Sequence, residues 1–190
     1  MTEKKFDVRK LDKLNNPQRL VDISPDYIID KLNITKADVI ADIGAGTALF
    51  SIAFYELLNP SAVYALDISD EMLEWVRGNV CTDYPRIIPL KSEENLLPVE
   101  SETADLAFMI NLHHELVNPL LSLREAFRII KPGGRFFAVD WKKEEMSDGP
   151  PQNIRFMAED AADQIVKAGF MNVSIFNDLR NHFLVTGEKA

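Results

Sequence analysis

Residues 39–48, Val39-Ile40-Ala41-Asp42-Ile43-Gly44-Ala45-Gly46-Thr47-Ala48, constrain the fold more than any other stretch of this 190-residue chain. An apolar run ends in a carboxylate, breaks on two glycines and passes into Leu49-Phe50-Ser51-Ile52-Ala53-Phe54-Tyr55. That order predicts a buried strand, a tight turn and a helix, the device by which an open parallel sheet brings a helix N-terminus to a ligand. Gly44 permits the sharp turn, and Gly46 lets a ligand approach the backbone without meeting a Cβ. A dinucleotide fingerprint needs a third glycine at position 49, where this chain has Leu49.

The rest of the chain supports an α/β reading. Ser24-Pro25 starts a helix that ends near Asn33, with Ser24 as its cap. Further helices are expected over Thr47–Leu58, from Asp70 to about Val80, over 118–130 and near Ala158–Ala168. Strands are expected at 62–67, 87–90, 105–110 and 135–139, with Lys131-Pro132-Gly133-Gly134 as a break between helix and strand. This alternation implies parallel βαβ units. Only Asn177–Asn181 separates the last two strands, 173–176 and 182–186. That is too short for a parallel crossover, so they form an antiparallel hairpin. The expectation is one domain over 1–190, with residues 1–22 as an arm covering the cleft through Phe6-Asp7 and Asn16–Leu20.

What stands at the glycine turn is D-x-G-x-G, which resembles motif I of the class I S-adenosylmethionine (SAM) dependent methyltransferases. The resemblance implies that Asp42 serves the ammonium of the methionine moiety, with Gly44, Ala45 and Gly46 beside it. It departs from the family at Ala48, where many members carry a third glycine. Asp67 ends the next strand 23 residues after Gly44, where an acid can accept hydrogen bonds from ribose hydroxyls; as a helix cap it would be redundant with Ser69. Ile68 and Met72 follow as candidates to pack against adenine. Lys91-Ser92-Glu93-Glu94-Asn95-Leu96-Leu97-Pro98 resembles the family's loop after strand three. The match puts Ser92 and the Glu93 backbone N–H at the adenine edge. The fold implied is a Rossmann-like, doubly wound, seven-stranded, mostly parallel sheet with a C-terminal antiparallel hairpin.

Asn111-Leu112-His113-His114-Glu115 leaves the tip of strand four, where donor and acceptor should meet. Asn111 offers its backbone carbonyl to the methionine ammonium. His113 and His114 are the candidate general bases, since imidazole titrates near working pH; the competing reading has them opening the next helix or filling a polar pocket. Residues 141–151, from Trp141 to Pro151, suggest a substrate wall or lid.

Bulk properties narrow the partners. A net charge of −9 opposes phosphate backbones and anionic membrane surfaces. The N-terminal residues lack an apolar h-region and no run approaches a spanning length, so a cytoplasmic protein is expected. Cys81 is the one cysteine; no metal site is expected, and thiolate-dependent arsenite methylation is disfavoured. The resemblance is greatest to small-molecule methyltransferases similar to the C-methyltransferases of quinone biosynthesis. The expected reaction moves a methyl group from SAM to a small-molecule acceptor and leaves S-adenosylhomocysteine. A SAM-binding partner protein without catalysis, and an NAD-binding oxidoreductase sharing Gly44, Gly46 and Asp67, are the alternatives. The acceptor, the atom methylated and the oligomeric state are not encoded legibly.

Overall fold

The structure is a computed structural model and describes residues 9–190. Seven strands, β1 (Val39–Ile43), β2 (Ala62–Asp67), β3 (Ile87–Lys91), β4 (Ala104–Ile110), β5 (Ile130–Trp141), β6 (Met171–Phe176) and β7 (His182–Glu188), form one sheet in the order β3-β2-β1-β4-β5-β7-β6. The β1–β5 neighbours all pair in parallel, whereas β7 is antiparallel to both β5 and β6. This is the seven-stranded, mostly parallel α/β sheet with a C-terminal hairpin that the sequence predicts. After β3 the chain returns to the other side of β1, so strand order reverses between β1 and β4. Ligand crevices of open sheets lie at the strand carboxyl ends beside such a reversal.

The strand alternation divides the core into two faces. Ile40, Val63, Leu106, Phe108, Phe137 and Leu184 point towards α3 (Pro25–Leu32), α4 (Leu49–Leu58) and α5 (Asp70–Asn79). Ala41, Leu66, Ala107, Phe136 and Val185 meet α6 (Pro119–Ile129) and α7 (Ala158–Ala168) on the other face. The Phe108 and Phe137 rings stack at 4.9 Å, and Phe54 from α4 leans on both. Burying a side chain of this size stabilises by roughly 1.5–3 kcal/mol, so the central strands anchor the crevice they carry.

The caps fall where the sequence puts them. Ser24 accepts from Tyr27 N–H, Ser69 from Met72 N–H and Asn118 from Leu121 N–H. Among the boundaries that move, two have a local cause. The helix expected from Thr47 starts at Leu49, because Ala48 sits left-handed at φ 61°. The break expected at Lys131–Gly134 is instead part of β5, which begins at Ile130. A register shift absorbs the extra residues, with Ala104 opposite Ile130 but Leu106 opposite Arg135, and Gly133 N–H donates to Lys189 O at 2.7 Å.

The arm is helical where described, as α1 (Arg9–Leu14) and α2 (Gln18–Asp22). Arg19 donates to Leu14 O at 2.8 Å and lies over the Phe50 ring at 5.1 Å, fastening the arm to α4. Phe6 and Asp7, expected to help cover the cleft, lie outside the described residues.

Candidate active site

Three strands end in a carboxylate at the same edge of the sheet: Asp42 on β1, Asp67 on β2 and Asp140 on β5. Asp67 gathers the glycine turn. Its Oδ2 accepts from Gly46 N–H and its Oδ1 from Ser69 N–H, both at 2.8 Å. Because Ser69 caps α5 itself, Asp67 is released from that duty. A carboxylate has about four lone-pair sites, so two remain for hydroxyl donors. Burial pushes Asp67 above the ordinary aspartate range, opposed by the N–H groups of Ser69 and Gly46.

Asp42 points towards α4, where Ser51 Oγ–H donates to its Oδ2 at 2.7 Å. Its surroundings are wholly desolvating, and burial raises its pKa from 3.8 to about 7, against the Ser51 hydrogen bond and with help from Asp67. A carboxylate held near neutrality in this way takes up a cation readily. Gly44 and Gly46 both adopt positive φ, 76° and 55°. A Cβ on Gly44 would meet the Leu112 side chain at 2.8 Å, so glycine here also admits the β4 loop. A Cβ on Gly46 would meet Leu14 at 3.6 Å, so the arm lies against the side of the turn that the sequence left bare for a ligand. Ala45 is half-buried in the same turn, and Ala48 pays for its missing glycine with backbone strain of roughly 1 kcal/mol.

On the far side of β2, Ile68 is exposed and Met72 buried. Ser92 is buried, and its N–H donates to Asp67 O at 3.0 Å. The Glu93 N–H, expected to face adenine, donates instead to Leu96 O at 3.1 Å. The residues Glu94-Asn95 turn the loop tightly enough to close that bridge, and the amide is already used.

The β4 and β5 tips bring together groups far apart in sequence. Asn111 takes φ 56°, with its N–H on Val139 O at 2.8 Å. The two histidines of the following 3-10 turn, His113–Glu115, then part company. His113 is buried against Phe156, with Nε2 bonded to Gln164 of α7 at 2.8 Å. Burial lowers its pKa, despite Asp140 and Gln164. His114 instead joins Asp140 through Nδ1 at 2.8 Å and through its backbone N–H at 3.0 Å. His182, the third and last histidine of the chain, lies at 4.2 Å from Trp141; burial lowers its pKa to about 4, against the charges of Asp140 and Asp22. All three histidines therefore feel Asp140. Among the described residues, no group of three or more His, Cys, Asp or Glu is placed to hold a metal ion.

Sequence reasoning assigned no role to Thr47, Asp140, Gln164 or His182. Among the described residues, five buried side-chain atoms lack a hydrogen-bond partner: Thr47 Oγ1, Asn111 Oδ1, His113 Nδ1 and both ring nitrogens of His182. Their four residues all sit at the carboxyl edge of the parallel strands, although orphan polar atoms are rare and costly anywhere. An acid closing β5, as acids close β1 and β2, was the one legible signal for Asp140.

Arg155 organises the segment after β5. Its guanidinium donates to the carbonyls of Lys142, Glu144, Asp148 and Pro150. Gly149, at φ 92°, lies so close to Trp141 that a Cβ would meet the indole at 2.7 Å. The loop is thus folded down on the β5 tip, and its own residues 144–152 with Arg155 line an open pocket of about 310 Å³.

A family model described as a methyltransferase domain matches residues 41–138, more than half of the chain. The ribosomal protein L11 methyltransferase of Geobacillus kaustophilus is 32% identical over 119 residues, 61% of this chain and 37% of that protein. The ubiquinone/menaquinone biosynthesis C-methyltransferase of Pasteurella multocida is 28% identical over 127 residues, 62% of this chain and 45% of that protein. The chain thus spans less than half the length of these curated relatives. A crystal structure of a SAM-dependent methyltransferase from Aquifex aeolicus superposes with a TM-score of 0.88 at 29% identity, covering 98% of this chain and all of the other.

Proposed function

Since the chain belongs to the SAM-dependent methyltransferase family, we propose that it transfers a methyl group from SAM to a small molecule held at the tips of β4, β5 and β7. When bound, SAM supplies an electrophilic methyl group on a sulfonium, a leaving group that needs no further activation. This chain's residues have to bind, orient and exclude water, and orientation alone is worth up to about 7–11 kcal/mol in favourable cases.

The observation that carries the reading is the row of partnerless polar atoms along one sheet edge, beside a carboxylate with two lone pairs to spare. In this reading Asp67 takes the ribose hydroxyls. Asp42, the Thr47 hydroxyl and Asn111 take the charged amino-acid end, where a near-neutral buried acid gains most from an ammonium. Gly44, Ala45 and Gly46 lie beside that end. Ile68, Met72 and Ser92 flank the adenine, with the Glu93 amide excluded by its bond to Leu96. The arm, through Leu14 and Arg19, and the 141–151 loop, through Arg155, close the site from opposite sides.

The acceptor reading rests on charge: a net charge of −9 disfavours nucleic acid. No helix among the described residues is long and apolar enough to cross a membrane. Native mass spectrometry of protein purified without added ligand tests the proposal. Retained SAM or S-adenosylhomocysteine supports it, and a retained nicotinamide dinucleotide contradicts it. Turnover that requires a ribosomal protein would overturn the small-molecule assignment.

A further inference from the structure

We propose that Asp140 is a positioning residue that holds His114 as the general base, and that the acceptor is a hydroxyl compound of the phenol or enol class, which must lose its proton as it is methylated. This rests on the methyltransferase reading above.

The geometry begins with Asp140, whose two oxygens are both committed. Oδ1 meets His114 Nδ1 at 2.8 Å and accepts Trp141 N–H at 2.7 Å, while Oδ2 accepts the backbone N–H of His114 at 3.0 Å. The two side chains are only 6% and 3% exposed. An ionised carboxylate can only accept, so Nδ1 carries the hydrogen and Nε2 of the neutral ring keeps its lone pair. Among the described residues, the charged partner of Nε2 is the Glu115 carboxylate at 3.9 Å, beyond hydrogen-bond reach. Unlike Nδ1 of His113 and both nitrogens of His182, His114 Nε2 is not among the sealed, partnerless atoms. One nitrogen is anchored and, among the described residues, the other has no hydrogen-bond partner, which is how an imidazole is set up to take a proton.

The electrostatics agree with the geometry. Burial disfavours the imidazolium, but the hydrogen bond and charge of Asp140 outweigh it and lift His114 above the ordinary histidine range. The facing groups are Asp140 from β5, Glu115 and His113 on the same turn, and Arg155 ahead of α7, which opposes the rise; His182 of β7 faces Asp140 in turn. His113 is no rival, since its Nε2 is spent on Gln164.

A base of this kind selects among acceptors. A thiol ionises near ~8.5 and attacks as thiolate, so it gains little from a base. A phenol, near ~10, keeps its proton at neutral pH and becomes strongly nucleophilic only on losing it. An amine that is neutral at working pH attacks through its lone pair and sheds its proton afterwards. In the hydroxyl case the acceptor O–H bond breaks and the proton passes to His114 Nε2. The pair left on oxygen forms the bond to the methyl carbon, and the sulfur keeps the pair of its broken bond to that carbon.

The test uses the full chain, ¹⁵N-labelled, in long-range ¹H–¹⁵N NMR across pH, with the three histidines assigned by single substitution. The expected wild-type result is a neutral His114 protonated on Nδ1, titrating above the ordinary range, with a midpoint that falls in Asp140→Asn. An Nε2-protonated His114, or a midpoint unmoved by Asp140→Asn, overturns the dyad. Should that variant fail to fold, the wild-type tautomer and Asp140→Glu decide. S-adenosylhomocysteine titrated into the same samples separates the two claims, since failure to bind wild type sinks the methyltransferase reading instead. With SAM present, cofactor turnover on catechol or 1,4-dihydroxynaphthalene is expected to exceed that on 2-mercaptoethanol or aniline, and to drop about 10²–10⁴-fold in His114→Asn. No turnover on either hydroxyarene, or a preference for the thiol or amine, contradicts the acceptor class.

Discussion

The two halves of the sheet edge are built differently. At the β1 and β2 tips the acids are held within one strand–helix–strand unit, with Asp42 bonded to Ser51 nine residues on and Asp67 bridging Ser69, two residues on, and Gly46, 21 residues back. At the β4, β5 and β7 tips, His114 finds Asp140 across 26 residues and His113 finds Gln164 across 51. The first half is a local device that any chain with the right turn can carry. The second exists only once the sheet has assembled.

The halves also carry opposite pH signatures, and that contrast can be broken. The folded pKa of Asp42, about 7, lies above its unfolded value. The folded state therefore holds the extra proton, and stability without ligand is lost as pH rises from about 4 to about 7, by at most about 4 kcal/mol. Asp42→Asn is expected to remove that slope, and parallel melting-temperature curves against pH for variant and wild type would contradict it. His182 has the other sign. Its folded pKa, about 4, lies below the ordinary histidine value, so stability present above ~6.5 is lost as pH falls towards 4, by at most about 3 kcal/mol. His182→Phe is expected to flatten the acid limb, and an unchanged acid limb contradicts the burial argument.

Two smaller effects sharpen the division of labour. Asp67→Ala is expected to weaken SAM by about 1–3 kcal/mol, the order for losing a charged hydrogen-bond partner; unchanged affinity in a folded variant removes Asp67 from the site. Gln164→Leu, which leaves His113 Nε2 unpaired, is expected to cost about 1 kcal/mol of stability without changing S-adenosylhomocysteine affinity in calorimetry. A matching loss of affinity would mean that the two halves are coupled.

The same contrast explains what was legible in the sequence. The alternation of strands and helices, the hairpin and the caps at Ser24 and Ser69 follow from period, turn residues and chain length between elements. Asp67 could be named because its spacing from Gly44 is itself a local quantity. His113 and His114 could not be told apart, because their fates depend on Gln164 and Asp140, which topology supplies. His182 gave no signal at all; only the antiparallel return of β7 brings it opposite Trp141. The Glu93 amide bonds to Leu96 across a two-residue turn inside its own loop, a contact that residue types alone do not announce. The Ala48 departure proved to be a left-handed backbone position, at φ 61°.

The most direct measurement is calorimetric titration of the unliganded full chain with SAM and, separately, with NAD. The account requires SAM to bind, with Asp67→Ala weakening it, and NAD to leave the protein silent, because Leu49 stands where a dinucleotide turn needs glycine. Preferential binding of NAD, or SAM affinity indifferent to Asp67, would contradict it.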